Sequence, residues 1–373
     1  MSRSMAAAFL QISWRTAFSR LKGADPLLCY ALGAVIVFGL VVLHSAVDGN
    51  GPLFRAQVLR LLLGVLALAV AAQFPPTFYL RWAPWLYFAV LLLLLLVFIG
   101  GVTVKGAARW LELPGLVRFQ PSELTKLALP MMIAWYFHDR PLPPTFKDVV
   151  VTLALIVLPV TCIMMQPDLG TAILVLVAGV SVILLAGISW RWIGWATVGG
   201  AALVPLMWYG LKEYQRQRII TLFDPESDPL GAGWSIIQSN TAIGSGGFFG
   251  KGLGLGTQSQ LEFLPESHTD FIIAVVGEEL GFLGIVSLLA LYMAIVGRVL
   301  FIAAQTHHTF SRLLAGALAL VFFVSLFVNI AMVAGMLPVV GVPLPLVSYG
   351  GTSVITLLAG FGIIMSIQSH KSW

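Results

Sequence analysis

The chain has 373 residues, of which 59% are hydrophobic and only 10% are charged, whereas a soluble domain typically carries about 25% charged residues. The mean hydropathy is +0.95 and the formal net charge is +5. Water could not cover this much apolar surface, so the composition excludes a soluble globular protein, a disordered chain and a secreted disulfide scaffold. The basic excess indicates cytoplasmic loops of a membrane protein rather than a nucleic-acid partner.

Apolar runs of spanning length recur along the chain and predict an all-α integral membrane protein with about ten transmembrane helices. Residues 1–373 are expected to form a single polytopic membrane domain. The predicted spans are Leu27–Ala46, Ala56–Phe74, Ala83–Gly101, Pro121–Phe137, Val149–Met165, Gly170–Gly187, Ile193–Tyr209, Asp270–Gly297, Arg312–Gly335 and Gly351–Gln368.

Residues 1–26 are predicted to form a cytoplasmic N-terminal arm. The segment does not resemble a cleaved signal peptide, because basic residues interrupt the apolar core that a signal peptide needs. These residues are Arg3, Arg15, Arg20 and Lys22. With this arm inside, Lys and Arg are more frequent in the short loops on the cytoplasmic side. We therefore expect both termini to be cytoplasmic.

Two segments outside the predicted spans are unusual, residues 102–120 and residues 210–269. The second is a large extracytoplasmic loop of about 60 residues between spans seven and eight, and loops of such length are usually functional. Its glycine-rich stretch, residues 244–256, permits positive φ angles and close backbone approach. Residues 102–120 are expected to form the first catalytic outer loop.

Charged residues gather in and just after the first outer loop. Glu123 and Lys126 are three residues apart, so they share one helix face. They either form an ion pair that stabilises the helix entrance or, with Lys105 and Arg109, line a cationic pocket for phosphate or pyrophosphate. Trp110 is either an interfacial anchor or a flat platform for a sugar.

Acidic residues cluster around the predicted start of the eighth span. Glu266 and Asp270 would complement the helix macrodipole, which is a purely structural explanation. However, Asp270 is followed at once by the apolar residues 271–275, which place it at the edge of the apolar phase. Glu278 and Glu279 lie deeper in the span and are expected to be structural.

Two further polar segments fall on the same predicted outer side. Asp168 either caps the sixth span or lines the outer cavity. Residues 341–352 carry prolines and glycines before the last span, which predicts irregular backbone that lines protein or water. Because all four clusters share one side, they point to a single site. Arg60, within the second predicted span, has no evident partner.

The sequence contains no HExxH motif and no spaced set of His and Cys. Cys29 and Cys162 lie within apolar runs and are predicted to be small buried hydrophobic residues. No cofactor is therefore certain. A divalent cation, Mg or Mn, bound by the acidic residues stays open as an alternative.

These motifs resemble the SEDS family, whose name stands for shape, elongation, division and sporulation. The similarity extends in order over nearly the whole chain, and the stretch 337–345 is more similar to the elongation branch than to the division branch. The matching stretches are residues 120–123 with Lys126, 166–170, 264–271, 277–281 and 343–351.

The resemblance implies an inner-membrane peptidoglycan glycosyltransferase with its active site on the periplasmic side, which polymerises lipid II during cell elongation. It implies work with a class B penicillin-binding protein, a transpeptidase, and with other membrane proteins of the elongation complex. It also implies that Asp270 is essential. The candidate substrate-binding residues are Lys105, Arg109, Trp110, Gln120, Ser122, Glu123, Lys126, Asp168, Arg218, Glu266, His268, Ser348 and Tyr349.

The implied chemistry needs only one carboxylate. A glycosidase uses a second carboxyl group to protonate its leaving group, whereas pyrophosphate leaves as a stable anion that cations can stabilise. Asp270 would then act as the general base toward the attacking hydroxyl. Lys105, Arg109, Lys126 and Arg218 would stabilise the developing negative charge. An α-linked donor attacked in line gives a β-linked product, which predicts inversion.

The competing interpretation is a flippase or transporter that moves lipid II across the membrane. About ten spans, a cationic pocket and breaks near helix ends suit that function too. A transporter predicts functional charges near the bilayer midplane, whereas the candidates here gather on one side. This distribution favours the polymerase. A purely structural scaffold would explain none of the clustered charge.

Overall fold

A computed structural model describes residues 25–47, 50–104, 107–112, 118–210, 213–228, 231–261 and 263–370 of the chain. The arm predicted for residues 1–26 lies outside these ranges except for its last two residues. Lys105, one of the candidate cations, also lies outside them.

The described residues form mainly α-helices, joined in one place by a small sheet. In chain order the elements are α1 (Pro26–Ala46), α2 (Gly51–Gln73), α3 (Pro76–Gly100), β1 (Val102–Val104), β2 (Ala107–Glu112), β3 (Arg118–Phe119), α4 (Pro121–Phe137), α5 (Phe146–Met165), α6 (Leu169–Leu185), α7 (Trp190–Gly210), α8 (Glu213–Phe223), a 3-10 helix (Pro225–Ser227), α9 (Ala232–Gly246), α10 (Thr257–Gln260), α11 (Ile272–Ala304), α12 (Thr309–Val333) and α13 (Thr352–Ser369).

Every predicted span coincides with one of these helices, namely α1 to α7 and α11 to α13. Seven helices in the described ranges, α1, α2, α3, α5, α11, α12 and α13, are long and apolar enough to cross a membrane, and α6 is a shorter apolar helix. The prediction of an all-α integral membrane protein is confirmed.

Some helices begin earlier than hydrophobicity predicts. α2 starts at Gly51 rather than Ala56, because the side chain of Asn50 caps it by accepting a hydrogen bond from the backbone N–H of Leu53 at 3.3 Å. α3 likewise begins at Pro76, a residue type that favours the first helical turn. These polar or turn-forming starts fall outside the apolar runs by which spans were located.

The centre of the helical bundle lies along α12. In the most apolar 18-residue stretch of α12, 72% of the residues are buried inside the protein, compared with 17% in that of α2. α12 packs against α4, α6 and α11, whereas α2 packs mainly against α13. Tyr292 of α11 and Phe322 of α12 are both fully buried, and their ring centroids lie 5.5 Å apart. α12 therefore forms the inner wall against which the other helices are arranged.

The first outer segment, residues 102–120, contains a three-stranded antiparallel sheet in the order β1-β2-β3. Val102 pairs with Trp110, and Leu111 pairs with Phe119. The sequence predicted a functional loop in this segment and did not indicate the strands. The strands are only two to six residues long, so they offer too little alternation of polar and apolar residues to be detected.

The second segment, residues 210–269, is also more ordered than a long loop. It contains α8, a 3-10 helix, α9 and α10, and α9 packs against α11. α11 itself is interrupted by Gly281, whose φ of 68° and ψ of −162° are not helical. The sequence predicted one continuous span at this point, because an isolated glycine does not by itself mark a break.

Candidate active site

A pocket of about 350 Å³ lies where the first outer segment, the turn before α11 and the segment before α13 meet. All four polar clusters of the sequence contribute to its wall. The candidate residues that line it are Arg109, Trp110, Gln120, Glu123, Lys126, Asp168, Glu266, Asp270, Ser348 and Tyr349. Residues more than 200 positions apart in the chain therefore face one cavity.

Asp270 lies in the turn immediately before α11, and Gly341 brings the backbone close to its carboxylate. A Cβ built on Gly341 would lie 3.5 Å from Oδ2 of Asp270. Gly341 has a φ of 74°, in the left-handed region that glycine adopts without strain. A side chain at this position would therefore be strained and would approach the candidate base.

Asn329 of α12 holds the backbone of Asp270 and was not predicted from the sequence. Its amide Nδ2 donates to the carbonyl oxygen of Asp270 at 2.8 Å and to that of Val342 at 2.7 Å. The side chain is fully buried, at 0% exposure. A polar amide inside an apolar span was the available signal, but its partners lie too far along the chain for sequence spacing to identify them.

Glu123 and Lys126 form an ion pair on the first turns of α4, with Nζ of Lys126 2.6 Å from Oε2 of Glu123. Their side chains are 10% and 17% exposed, respectively, and both line the pocket. The two alternatives for this pair are therefore compatible, since an ion pair at the helix entrance also faces the cavity. The start of α4 is tied to α13 by a hydrogen bond from the N–H of Gln120 to Oγ1 of Thr352 at 3.3 Å.

Asp168 both caps a helix and lines the pocket, so its two alternatives are also compatible. One carboxylate oxygen accepts from the backbone N–H of Thr171 at 3.2 Å and so caps α6. The other oxygen accepts from Nε2 of Gln120 at 2.8 Å. Asp168 therefore joins the start of α6 to the start of α4.

Arg109 clamps the β-sheet onto the turn between α5 and α6. Its Nε donates to the carbonyl of Gln166 at 3.3 Å, its Nη2 donates to the carbonyl of Pro167, and its Nη1 lies 3.8 Å from Asp168. The guanidinium still lines the pocket. Two of its nitrogen atoms therefore donate to backbone carbonyls, whereas Lys126, the other described basic residue of the wall, pairs only with Glu123.

Trp110 of β2 forms a side of the pocket next to the start of α13. A Cβ built on Gly351 would lie 3.5 Å from the indole ring, which is ordinary van der Waals contact. The side chain is half-buried. The indole ring therefore lines the cavity and lies against the start of α13.

The segment before α13 is fastened to the turn that carries Asp270. Oγ of Ser348 donates to the carbonyl of Thr269 at 2.5 Å and accepts from the N–H of Leu344 at 2.8 Å. The N–H of Tyr349 donates to the carbonyl of His268 at 2.8 Å. Ser348 is 1% exposed, so its main contact is with this backbone.

Two residues of α2 support the same segment. Gln57 donates to the carbonyl of Ser348 and accepts from the N–H of Gly350, both at 3.2 Å. The guanidinium carbon of Arg60 lies 4.4 Å from the ring centroid of Tyr349, within the range of a cation–π contact. Arg60, which had no partner in the sequence, therefore stacks on a residue of the pocket wall.

Three of the described candidates do not line the pocket. Ser122 is buried on α4, and its hydroxyl has no hydrogen-bond partner within the described ranges. His268 contacts the ring of Tyr349, at 6.0 Å between centroids, from outside the cavity. Arg218 lies in α8. Lys105 falls outside the described residues, so its place relative to the pocket is not assigned.

The deeper wall of the pocket is apolar. Leu318, Val321 and Phe322 of α12 and Leu357 and Phe361 of α13 line it several residues into each helix. The ionisable lining residues instead lie at or near the helix ends that carry Asp168 and Asp270. The cavity is therefore amphiphilic, with charge at one end and hydrocarbon at the other, which suits a lipid with a charged head group.

Within the described ranges, no three His, Cys, Asp or Glu side chains come together as a metal site. Glu123 is paired with Lys126, and the carboxylate of Asp168 is shared by Gln120 and Thr171. A divalent cation would have to compete with these partners for the same oxygens. The acidic residues present thus offer no preformed set of ligands.

A model of the family FtsW/RodA/SpoVE, described as cell cycle proteins, matches residues 24–373 of the chain. The peptidoglycan glycosyltransferase MrdB of Escherichia coli K12 is 52% identical over 348 residues, which cover 93% of this chain and 94% of that protein. The probable peptidoglycan glycosyltransferase FtsW of Trichlorobacter lovleyi is 38% identical over 367 residues, covering 94% of each chain. The greater similarity to MrdB agrees with the predicted elongation branch.

Solved structures have the same fold. The rod shape determining protein RodA of Thermus thermophilus superposes with a TM-score of 0.72 at 30% identity, covering 94% of this chain and 98% of that chain. A chain from a peptidoglycan synthase complex, solved to show the structural coordination of polymerization and crosslinking, superposes with a TM-score of 0.82 at 33% identity. That match covers 92% of this chain and 97% of the other.

Proposed function

This chain belongs to the FtsW/RodA/SpoVE family and is a peptidoglycan glycosyltransferase, and from that premise we propose that the pocket around Asp270 is its active site. The observation that carries the proposal is the convergence on one cavity of a carboxylate, a half-buried cation and an aromatic side chain. The three groups are Asp270, Lys126 and Trp110. They correspond to the proton acceptor, the anion-binding group and the sugar-binding surface that the reaction requires.

Asp270 acts as the general base in this mechanism. Its carboxylate takes the proton from the attacking sugar hydroxyl as the new glycosidic bond forms, a role typically worth about 10²–10⁴-fold in rate. The bond to the pyrophosphate oxygen breaks at the same time, and the electron pair leaves with the pyrophosphate. Attack from the face opposite the leaving group inverts the anomeric centre. Asn329, through the carbonyl of Asp270, keeps the turn that bears the base in place.

Lys126 stabilises the leaving pyrophosphate, together with Arg109, which also lines the pocket. Glu123 holds the ammonium of Lys126 at 2.6 Å, which fixes its direction. Fixed charges of this kind act on the transition state without reorganisation, and in a cavity poor in water they are worth more than at a surface. Lys105 and Arg218 stay candidates for the same anion.

Lipid II, the undecaprenyl-pyrophosphate-linked glycan, fits the amphiphilic shape of the cavity. Its charged pyrophosphate and sugars would lie against Lys126, Asp168 and Trp110, while hydrocarbon would contact the apolar wall of α12 and α13. We place the protein in the bacterial inner membrane with both termini in the cytoplasm and the pocket facing the periplasm. The basic arm and the short basic loops support this orientation.

A class B penicillin-binding protein is the partner that we propose. A similar chain forms a peptidoglycan synthase complex that coordinates polymerization with crosslinking. A newly made glycan strand leaves the pocket of this chain uncrosslinked, so a transpeptidase held beside it would receive its substrate directly. Other membrane proteins of the elongation complex are proposed on the family resemblance alone.

Purified protein in vesicles tests this function against lipid II transport. The polymerase predicts that glycan strands form from lipid II, whereas a flippase predicts transbilayer movement of intact lipid II without strands. Strand formation measured with and without a divalent-ion chelator also shows whether a cation takes part. If lipid II crosses the bilayer and no strands form, the polymerase is wrong.

A further inference from the structure

An exposed aromatic cluster lies on the glycine-rich loop, residues 247–256, and on the α11 residue that follows the helix break. Phe248, Phe249 and Phe282 are 57%, 77% and 57% exposed. The ring of Phe248 lies 5.0 Å from that of Phe249 and 5.8 Å from that of Phe282, between centroids. Phe248 thus joins the other two rings into one exposed apolar surface, which is an unfavourable arrangement in water. The mechanism proposed for the pocket uses none of these residues.

The length of α11 places this cluster at a membrane boundary. The part after the break at Gly281, residues 282–304, spans about 35 Å, close to the hydrocarbon core, which is about 30 Å thick and needs about 20 residues. Arg298 pairs with Asp25 at the end of α1 opposite the pocket, so the far boundary lies between Arg298 and Ala304. Counting about 20 residues back puts the boundary on the pocket side between residues 279 and 285. Phe282 falls inside this interval.

The loop cannot move away from that boundary, because it completes the broken helix. After the break at Gly281, the N–H of Phe282 donates to the carbonyl of Gly247 at 3.0 Å, and the N–H of Leu283 donates to the carbonyl of Phe248 at 3.1 Å. Lipid could not satisfy these backbone groups, so the loop must stay beside them.

A buried charge pair adds a second attachment. Glu278, at 0% exposure, accepts from Nζ of Lys251 at 2.7 Å and from the N–H of Gln258 at 3.0 Å. The N–H of Lys251 also donates to the carbonyl of Glu278 at 3.0 Å. The loop is therefore fixed to the half of α11 that begins directly after Asp270.

The cluster continues the lipid-facing side of α11. Phe282, Val286 and Met293, at 57%, 42% and 50% exposure, follow one another at helical spacing on the exposed face of this helix. In a membrane-spanning helix such an apolar face is covered by acyl chains. Phe248 and Phe249 extend the same surface on the pocket side of Phe282, without an intervening charged residue of α11.

We infer that the cluster of Phe248, Phe249 and Phe282 inserts into the lipid leaflet on the pocket side and anchors the glycine-rich loop in the bilayer. The occupant of this surface is phospholipid, with the rings at the boundary between head groups and acyl chains. Through Glu278, this anchor sets the level of the α11 turn that carries Asp270 relative to the membrane. The loop is thus a membrane-contacting element rather than part of a water-exposed domain.

Spin labels on single cysteines test the inference with purified protein in phosphatidylcholine and phosphatidylglycerol vesicles. The chain has two cysteines, so Cys29→Ser and Cys162→Ala supply the background. A label at Phe249→Cys is compared with one at Val286→Cys, on the lipid-facing side of α11, and with one at Glu226→Cys, on the exposed 3-10 helix. Accessibility is measured to oxygen, which concentrates in lipid, and to a water-soluble nickel chelate.

A label at Phe249→Cys is expected to be severalfold more accessible to oxygen than to nickel, as at Val286→Cys. Accessibility to nickel like that of Glu226→Cys would overturn the inference, because the loop would then lie in water. Low accessibility to both reagents would also overturn it, since a protein surface would then cover the cluster. Phe248→Cys provides a second position if the first variant does not fold.

Discussion

At the scale of single residues, the charges of the pocket are held with different degrees of freedom. Lys126 has one close carboxylate partner at 2.6 Å, whereas Arg109 is engaged by two backbone carbonyls and lies 3.8 Å from Asp168. An ammonium has three N–H groups, so Lys126 keeps donors for the oxygens of a leaving group after it has paired with Glu123. This distinction assigns leaving-group stabilisation chiefly to Lys126.

Lys126→Met keeps most of the length of the side chain and removes its charge. We expect kcat/KM for lipid II polymerisation to fall by about 10²–10³-fold, in line with the loss of one preorganised electrostatic group. Lys126→Arg should retain part of the activity, because the charge stays. Equal kcat/KM in the Met variant and the unaltered protein would remove Lys126 from the mechanism.

Asn329→Ala removes both amide hydrogen bonds to the backbone of Asp270 and Val342. Leaving these buried carbonyls unpaired costs about 1–3 kcal/mol, and we expect kcat to fall while KM changes little, since Asn329 does not line the pocket. Ser181→Ala is the control, because it removes a buried hydroxyl that bonds only within α6. A change in KM alone would contradict the positioning role.

Single residues also show where the sequence was informative. Asp270, Lys126 and Trp110 stand out because charge or aromaticity interrupts an apolar pattern, and the structure brings them to one pocket. Asn329 and Gln57 were missed because their partners lie 59 and 291 positions away. The sequence shows that a polar residue lies in an apolar span, but only the fold identifies the carbonyl to which it donates a hydrogen bond.

At the scale of elements, an arginine joins the β-sheet between α3 and α4 to the turn between α5 and α6. Arg109 bonds to the carbonyls of Gln166 and Pro167 in the turn between α5 and α6. β2 also contacts α3 and α4, and Trp110 lies against Gly351 at the start of α13. The sheet is therefore expected to be the most readily detached wall of the cavity.

Arg109→Met should release the sheet from the α5–α6 turn. Hydrogen–deuterium exchange is expected to accelerate in residues 107–112 while exchange in the middle of α4 stays unchanged, and polymerisation should fall as Trp110 loses its position. Arg118→Met is the matched control, because Arg118 forms only a surface pair with Glu112, at 56% and 46% side-chain exposure. Unchanged exchange in residues 107–112 would show that Arg109 does not hold the sheet.

Elements differ in how well the sequence predicts them. Long apolar runs predict the helices well, and α4 begins and ends at the predicted Pro121 and Phe137. The strands β1 to β3 were not predicted because they are only two to six residues long. The break at Gly281 was not predicted because it depends on contacts with distant backbone. Gly281 packs so closely against the backbone nitrogen of Gly250 that a Cβ there would clash with it.

At the scale of the whole molecule, the ends of the bundle serve different purposes. The pocket end gathers the ionisable residues of the proposed site, while the opposite end carries an ion pair between the buried Asp25 and the half-buried Arg298. Oδ2 of Asp25 accepts from Nε of Arg298 at 2.9 Å, and Asp25 also caps α1 by accepting from the N–H of Leu28 at 3.0 Å. This pair joins the first described helix to α11.

Asp25→Ala should destabilise the fold without altering the chemistry. Removing hydrogen bonds between charged groups costs about 1.5–3 kcal/mol, so we expect a lower thermal midpoint in detergent and an unchanged KM for lipid II. Glu213→Gln is the control, because Glu213 is 86% exposed and its contact with Arg216 is 4.0 Å long. A thermal midpoint equal to that of the control would show that the pair does not hold the bundle together.

The architecture as a whole could be predicted from composition, because 59% hydrophobic residues in long runs admit little besides a helical bundle in a membrane. The convergence of four distant segments on one cavity could only be hypothesised from their shared side of the membrane. The apolar inner wall of the pocket has no local sequence signature, and neither does the attachment of the glycine-rich loop to α11. Both arise from contacts between helices far apart in the chain.

Glycan strand formation by Asp270→Asn tests the central claim most directly. Asparagine has nearly the same shape as aspartate but cannot accept the hydroxyl proton, so purified, folded Asp270→Asn protein should form no strands from lipid II. Asp139→Asn, an exposed acid with 83% side-chain exposure outside the pocket, should polymerise like the unaltered protein. Strand formation by Asp270→Asn at the rate of Asp139→Asn would contradict the account.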